Sequence, residues 1–256
     1  MFTKAEVMRL TAVLGLLGWL GTGQAAPVLS QGSWATTLQA RDLDGEPANG
    51  PEAFYDSVFN ITWLRAGSSS RMSWVDANAW AATQVRYGFS GWRLPTLVDV
   101  AGEGCAAGWT YSGTDCGYHV DTTQATGSEM GHLFFDLLGN TGRFSPAGAE
   151  QAGYGLTNSG DFQIQQSWTF WSGVEVAVVS PPADYAFYFN TEVGSQFDAP
   201  QDNVFYALAV RDGDVFPGNS LVSGQVAEPQ SLALALVALA GLGRSAVLRR
   251  RRSSQL

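Results

Sequence analysis

Ser73-Trp74-Val75-Asp76-Ala77-Asn78-Ala79-Trp80-Ala81-Ala82-Thr83-Gln84-Val85 is the stretch on which the reading of the fold turns. Ser73 followed three residues later by an acid is a variant of the capping box, so a helix is expected to start at Trp74. Trp74, Asn78, Ala81 and Val85 share one helical face, with Ala77 and Trp80 adjoining it. The pattern runs out near Arg86-Tyr87-Gly88. Beyond it, Pro95 in Ser90-Gly91-Trp92-Arg93-Leu94-Pro95-Thr96 blocks helix propagation and sets a turn, beside which Trp92 and Leu94 can bury. Arg93 has no Lys-rich neighbourhood and is expected to pair with a carboxylate or cap backbone carbonyls.

Upstream, Trp34 to Leu43 and Phe54 to Leu64 are expected strands; Phe59, Ile61 and Trp63 alternate against Val58, Asn60 and Thr62 with period two. Downstream, Thr126-Gly127-Ser128-Glu129 reads as a second capping box. Met130, Leu133, Phe134, Leu137 and Leu138 then follow helical spacing, and Gly139 is the stop. After a Gly-rich stretch, strands are expected over Ser167 to Val179, Tyr185 to Thr191 and Val204 to Arg211. The last two, separated by Gly194 and the turn-like Asp198-Ala199-Pro200-Gln201-Asp202-Asn203, predict a terminal hairpin. The order is strands, helix, helix, strands, with no internal repeat: one α+β domain over 26–211.

The chain carries 14 Lys+Arg against 23 Asp+Glu in 256 residues. Seven of the basic residues but only two of the acidic ones lie outside 26–226. That leaves 7 Arg against 21 acids, a net charge of −14 for the span. Such a surface repels polyanions and disfavours a nucleic-acid role, so no nucleic-acid partner is expected.

Both ends read as addresses. Lys4 and Arg9, the apolar run Leu10 to Leu20 and the small residues Gly21 to Ala26 have the layout of a secretory signal peptide over 1–25, with Gly23 and Ala25 at −3 and −1 of the cleavage site. Residues 212–226, rich in Gly, Pro and Ser, read as a linker. Over 227–256, Ala227-Glu228-Pro229 precedes an apolar stretch and the cluster Arg249, Arg250, Arg251 and Arg252, interrupted by Arg244. An apolar segment closed by arginines stops in a membrane with the charges on the cytoplasmic side. This tail resembles the PEP-CTERM sorting signal of outer-membrane bacteria that make exopolysaccharide, with Ala227 in place of the first Pro. The resemblance implies an exosortase as partner, passage through an inner-membrane-anchored state, and a final address at the cell surface or in the extracellular matrix.

Cys105 and Cys116 are the only cysteines and His119 and His132 the only histidines. A close, even pair of cysteines in an exported chain points to a disulfide, worth about 3 kcal/mol for so short a loop. No Cys-x-x-Cys or His-Glu-x-x-His spacing supports zinc. His119, among turn residues, is expected at the solvated surface, and His132, mid-helix, in a structural role. No nucleophile–base–acid constellation stands out, and a non-catalytic protein is expected.

Asn60-Ile61-Thr62-Trp63-Leu64, Trp74 to Ala77, the Trp92-Arg93-Leu94-Pro95-Thr96 turn, Phe170-Trp171-Ser172-Gly173-Val174-Glu175 and Ala207-Leu208-Ala209-Val210-Arg211 follow in an order that resembles the Lcl C-terminal domain family of bacterial surface proteins, over roughly 54–214. The resemblance implies a C-type-lectin-like fold, two helices flanking antiparallel sheets with first and last strands paired, and a role in glycan binding. Relatives are implicated in binding sulfated glycans; the charge of this span redirects the expectation to a neutral or calcium-bridged one. Trp109 and Tyr111 could stack on a sugar face, although the commoner fate of such a Trp is to plug its loop onto the core. Asp198, Asp202 and Asn203 stand roughly where lectins of this fold hold calcium, the one cofactor considered; ordinary turn chemistry is the competing reading. The leading expectation is a non-catalytic surface protein that contacts exopolysaccharide. The alternatives are a purely structural or protein-adhesive component, and an enzyme related to the formylglycine-generating enzymes, which would need free cysteines.

Overall fold

The computed structural model describes residues 25–85, 88–100, 102–164, 168–176 and 184–215. The expected signal peptide up to residue 24, the sorting signal and the linker beyond Val215 lie outside them. Among the described residues no helix is long and apolar enough to cross a membrane.

The fold is mixed and mostly antiparallel β, with two four-stranded sheets and a few short helices. The first sheet has the order β1 (Leu38–Arg41), β2 (Ala53–Asp56), β3 (Ile61–Leu64) and β8 (Val210–Asp212); the second has β4 (Gly117–Tyr118), β7 (Ser195–Pro200), β6 (Tyr185–Asn190) and β5 (Thr169–Val176). Among the described residues the α-helices are α1 (Trp34–Thr37), α2 (Trp74–Ala82) and α3 (Glu129–Gly131), the last running on into a π-helical stretch, His132–Leu137.

Several expectations change in detail. The first expected strand opens instead with the helical turn α1. Phe54 to Leu64 is a hairpin rather than one strand, because Asp56 accepts the Val58 amide at 2.8 Å and Asn60 takes a left-handed φ of 53°. All four residues of β3 are buried, since β3 lies between β2 and β8 with both faces covered. The terminal hairpin is β6–β7, closed through Gly194, and not the pairing of 185–191 with 204–211. The segment read as a turn, Asp198 to Pro200, is the end of β7. β8, the last strand among the described residues, leaves that sheet and pairs with β3, so it meets the third strand, not the first. The chain also stays packed past Arg211: Asp214 pairs with Arg41 at 2.7 Å and Val215 is fully buried.

Local chemistry explains the helices. Ser73 caps α2, its hydroxyl accepting the Asp76 amide and donating to the Asp76 carboxylate. Ala77 and Ala81 form the buried face while Val85 is exposed, so the face is rotated from the one expected. In the second helix Ser128 is the cap and accepts from the Gly131 amide. Glu129, expected to complete a box with Thr126, turns away to Arg93. The apolar set Met130, Leu133, Phe134, Leu137 and Leu138 is buried as its spacing implies. Leu138 N donates to Leu133 O, an i→i+5 bond, so the turn is widened. Gly139 ends it with φ 63° against Gly32 (φ 69°); a Cβ on Gly32 would lie 2.1 Å from Leu137 O, so only glycine allows these two loops to touch.

The turn Trp92 to Thr96 ties the molecule together. Arg93 exchanges backbone hydrogen bonds with Val210 of β8, Pro95 O accepts from Gly173 of β5, and the Thr96 and Glu129 backbones meet at α3. Trp92 and Leu94 are buried as expected. Trp171 and Ser172 stitch the same seam: Trp171 Nε1 donates to Met72 O, and Trp74 Nε1 donates to Ser172 O. One short segment thus touches both sheets and both longer helical elements.

Candidate binding surface

The expected disulfide is present, joining Cys105 to Cys116. Its loop is organised by carboxylates. Asp99 accepts the amides of Gly102 and Gly104, Asp115 accepts Val100 N at 2.7 Å, and Asp198 accepts Cys105 N at 2.9 Å. Burial holds the Asp115 carboxyl above its ordinary range; the Val100 amide opposes this, and the neighbouring Asp99 adds to it. Gly117, with φ 108°, brings the loop's return strand against Thr110, whose oxygen a Cβ there would overlap at 2.0 Å.

This framework presents a cluster of aromatic rings. Trp109 is 49% exposed and stands perpendicular to Tyr111, centroids 5.0 Å apart. Tyr118 lies 6.1 Å from Trp109 and stacks on Tyr111, and Phe144 contacts both tyrosines. Tyr111 is seated against Gly148, where a Cβ would meet its ring at 2.7 Å. Arg143 lies over Phe144 and near the exposed Tyr154, and is held by Glu150 at 3.0 Å. Burial raises the Tyr118 phenol above its ordinary value, with Arg143 pulling the other way.

Trp109 therefore does not plug its loop onto the core, the expectation set for it; it is held from the side by other aromatics and keeps half its surface in solvent. The aromatic spacing around Cys116 could have suggested Tyr118. Nothing local marks Phe144 or Tyr154, which arrive from a distant loop. His119 also departs from a solvated role: its Nε2 lies 2.8 Å from Phe144 O and its ring stacks on Phe135, so it fastens the same loop beneath the patch.

The expected calcium trio divides between a strand and a turn. Asp198 lies in β7 with its carboxylate on the Cys105 amide, while Asp202 and Asn203 sit in the exposed turn that follows. Among the described residues, the acidic side chains close enough to hold a metal ion are Asp42, Asp44 and Glu52, whose oxygens lie within 4.8 Å of one another. Those oxygens accept the amides of Gly45, Glu46 and Leu43, which accounts for the loop's shape. Three carboxylates are few beside the six to eight oxygens calcium takes.

Neither a family model, nor a curated protein, nor a solved structure matches this chain. The resemblances stated above therefore rest on the quoted motifs.

Proposed function

We propose that this chain is an exported, non-catalytic surface or matrix protein whose disulfide-braced aromatic patch binds exopolysaccharide. The observation that carries the reading is Trp109, half exposed on a covalently closed loop and fixed by perpendicular contacts to Tyr111 and Tyr118. A ring held this way offers a flat apolar surface to the C–H face of a pyranose with little further ordering on binding. The −14 span argues for a neutral polymer.

The lectin-like fold belongs to the same proposal. Two helical elements lie with two antiparallel sheets, and β8, the last strand among the described residues, returns to the sheet of the first strands, which supports it. The disulfide suits an oxidising compartment, in keeping with export through the N-terminal signal and sorting by an exosortase at Glu228, Pro229 and Arg249 to Arg252. Both cysteines are joined to each other, which weighs against the enzyme alternative with its need for free thiols.

The test is binding of the purified protein to exopolysaccharide from its own producer, first with calcium and then with EDTA. Trp109→Ala is expected to weaken binding about tenfold or more, at least about 1.4 kcal/mol, while the protein stays folded with its unfolding temperature lowered by only a few degrees through the lost contacts to Tyr111 and Tyr118, and EDTA is expected to have no effect. Full binding by the Trp109→Ala protein would remove the patch from the proposal. Binding lost in EDTA would move the site to the carboxylates, and no binding in either condition would leave the structural reading in front.

A further inference from the structure

A cleft of about 280 Å³ opens where the loop before β2 faces the chain after β3, lined among others by Asn49, Glu52, Arg65 and Gln163. Its frame is backbone: Arg65 N donates to Glu52 O, and Gln163 N donates to Arg65 O. Arg65 Nη1 donates to Asn49 O and Pro51 O, and Nε donates to Asp161 O. The guanidinium is thus held by three carbonyls, not by a carboxylate, and its Nη2 has no acceptor among the described residues. The Gln163 side-chain amide has no partner among them either, while Glu52 uses one oxygen on Leu43 N and keeps the other. A second, more open depression of about 410 Å³ shares Arg65 and Gln163 and continues along Ser159 to Phe162.

A rigid cleft with planar side chains offering unengaged donors and acceptors side by side, beside the apolar Pro51 and Ala66, matches the chemistry of vicinal hydroxyls. Each sugar hydroxyl donates and accepts, so a carboxylate, a guanidinium and an amide can each take one role. Charge decides the class of sugar. Arg65 and Glu52 offset each other in the cleft, and Asp161 in the adjoining depression tips the balance against anions. We propose that this cleft is a second carbohydrate site, separate from the Trp109 patch, that takes a neutral hexose unit, with the adjoining depression receiving the next unit of a chain. It rests on the glycan-binding reading above for its ligand class but on none of that patch's residues. Two sites on one chain would let a single molecule bridge or grip a polymer with an avidity neither site has alone.

The experiment titrates the purified full chain with free glucose, galactose and mannose, and with glucuronate as the anionic comparison, following backbone amide signals by NMR. At least one neutral hexose is expected to shift Asn49, Arg65 and Gln163 saturably. Gln163→Ala, which removes an exposed side chain without partners, is expected to weaken that response at least fivefold. Glu52→Gln, which keeps an acceptor for Leu43 N, is expected to weaken it as well, and Trp109→Ala to leave it unchanged. No saturable shift from any neutral hexose, or a stronger response to glucuronate, would overturn the proposal. Polymer binding sensitive to Trp109→Ala but without shifts in the cleft would retire the cleft alone. Shifts in the cleft with no effect of Trp109→Ala on polymer binding would retire the patch alone.

Discussion

Glu129→Ala is expected to cost about 3 kcal/mol of stability, which in a domain of this size lowers the unfolding temperature by roughly 6–12 °C. The Glu129 side chain is 9% exposed and receives three hydrogen bonds: Arg93 Nη1 at 2.8 Å, Arg93 Nη2 at 2.9 Å and Thr96 N at 2.7 Å. Removing it leaves the Thr96 amide without that acceptor and a half-buried guanidinium with one remaining carboxylate. That carboxylate, Asp212, is 81% exposed and well screened, so it replaces little of the loss. The strength of the pairing is reflected in Arg93, whose proton is held more tightly than usual: burial opposes this, but Glu129 and then Asp212 outweigh it. Two comparisons isolate the cause. Glu129→Gln keeps an acceptor for Thr96 and should cost about half as much, and Asp212→Ala should cost under about 1 kcal/mol. Urea unfolding of the three variants measures this, and a Glu129→Ala protein no weaker than Asp212→Ala would refute the role given to the pair.

That ion pair also shows which parts of the fold were legible. The sequence around Arg93 implies a carboxylate partner, yet the Thr126-x-x-Glu129 spacing assigns Glu129 to a helix cap. Ser128 offered the same local chemistry two residues on, and the choice between them is made by Arg93, 36 positions away. Signals that complete themselves within about a dozen residues are legible: the Ser73 cap, the Gly139 stop, the buried face from Met130 to Leu138 and the Cys105–Cys116 bond. The missed elements depend on partners. Ser195 to Pro200 has turn composition and is a strand because β6 and β4 flank it. Periodicity over two turns cannot separate an α-helix from the widened turn after Gly131.

The same division runs through the candidate sites. Trp109 and Tyr111 were visible as aromatics on a closed loop, but their exposure depends on Tyr118, Phe144 and Gly148 packing from the side. The cleft around Arg65 left no trace in the sequence. Glu52, Arg65 and Gln163 are separated by up to 111 positions and are each of an ordinary surface type. They meet because the β2–β3 hairpin and the segment after Gly160 share backbone hydrogen bonds. Asp198, by contrast, was a local turn residue on paper and becomes a strand residue serving the disulfide loop.

Stability is expected to fall by about 3 kcal/mol as pH rises from 6 to 9.5, through one side chain. His132 is buried, stacked 4.0 Å from Phe59, with Nε2 3.0 Å from Asp56 and Nδ1 2.9 Å from Asp136. Both ring nitrogens face carboxylates, and only the imidazolium has a proton for each; a neutral ring would turn a lone pair toward one of them. Burial is the largest single influence and pulls the pKa down. The hydrogen bonds and charges of Asp136 and Asp56 together outweigh it and raise the value from 6.5 to about 9. A group whose folded pKa is raised contributes its full stability below the unfolded value. The contribution is therefore complete below pH 6.5, declines between 6.5 and 9, and is gone above. Asp56 magnifies the consequence, being fully buried at the end of β2, so once the ring is neutral its charge is met by the amides of Val58 and Phe59 and by no more than a neutral imidazole N–H. Urea midpoints measured at intervals from pH 6 to 9.5 should fall steadily for the native chain. His132→Gln should start lower and stay nearly flat over the same range. A flat profile for the native chain would show that the ring is already neutral at pH 6, and the two-carboxylate clamp would then be no more than a neutral hydrogen-bond contact.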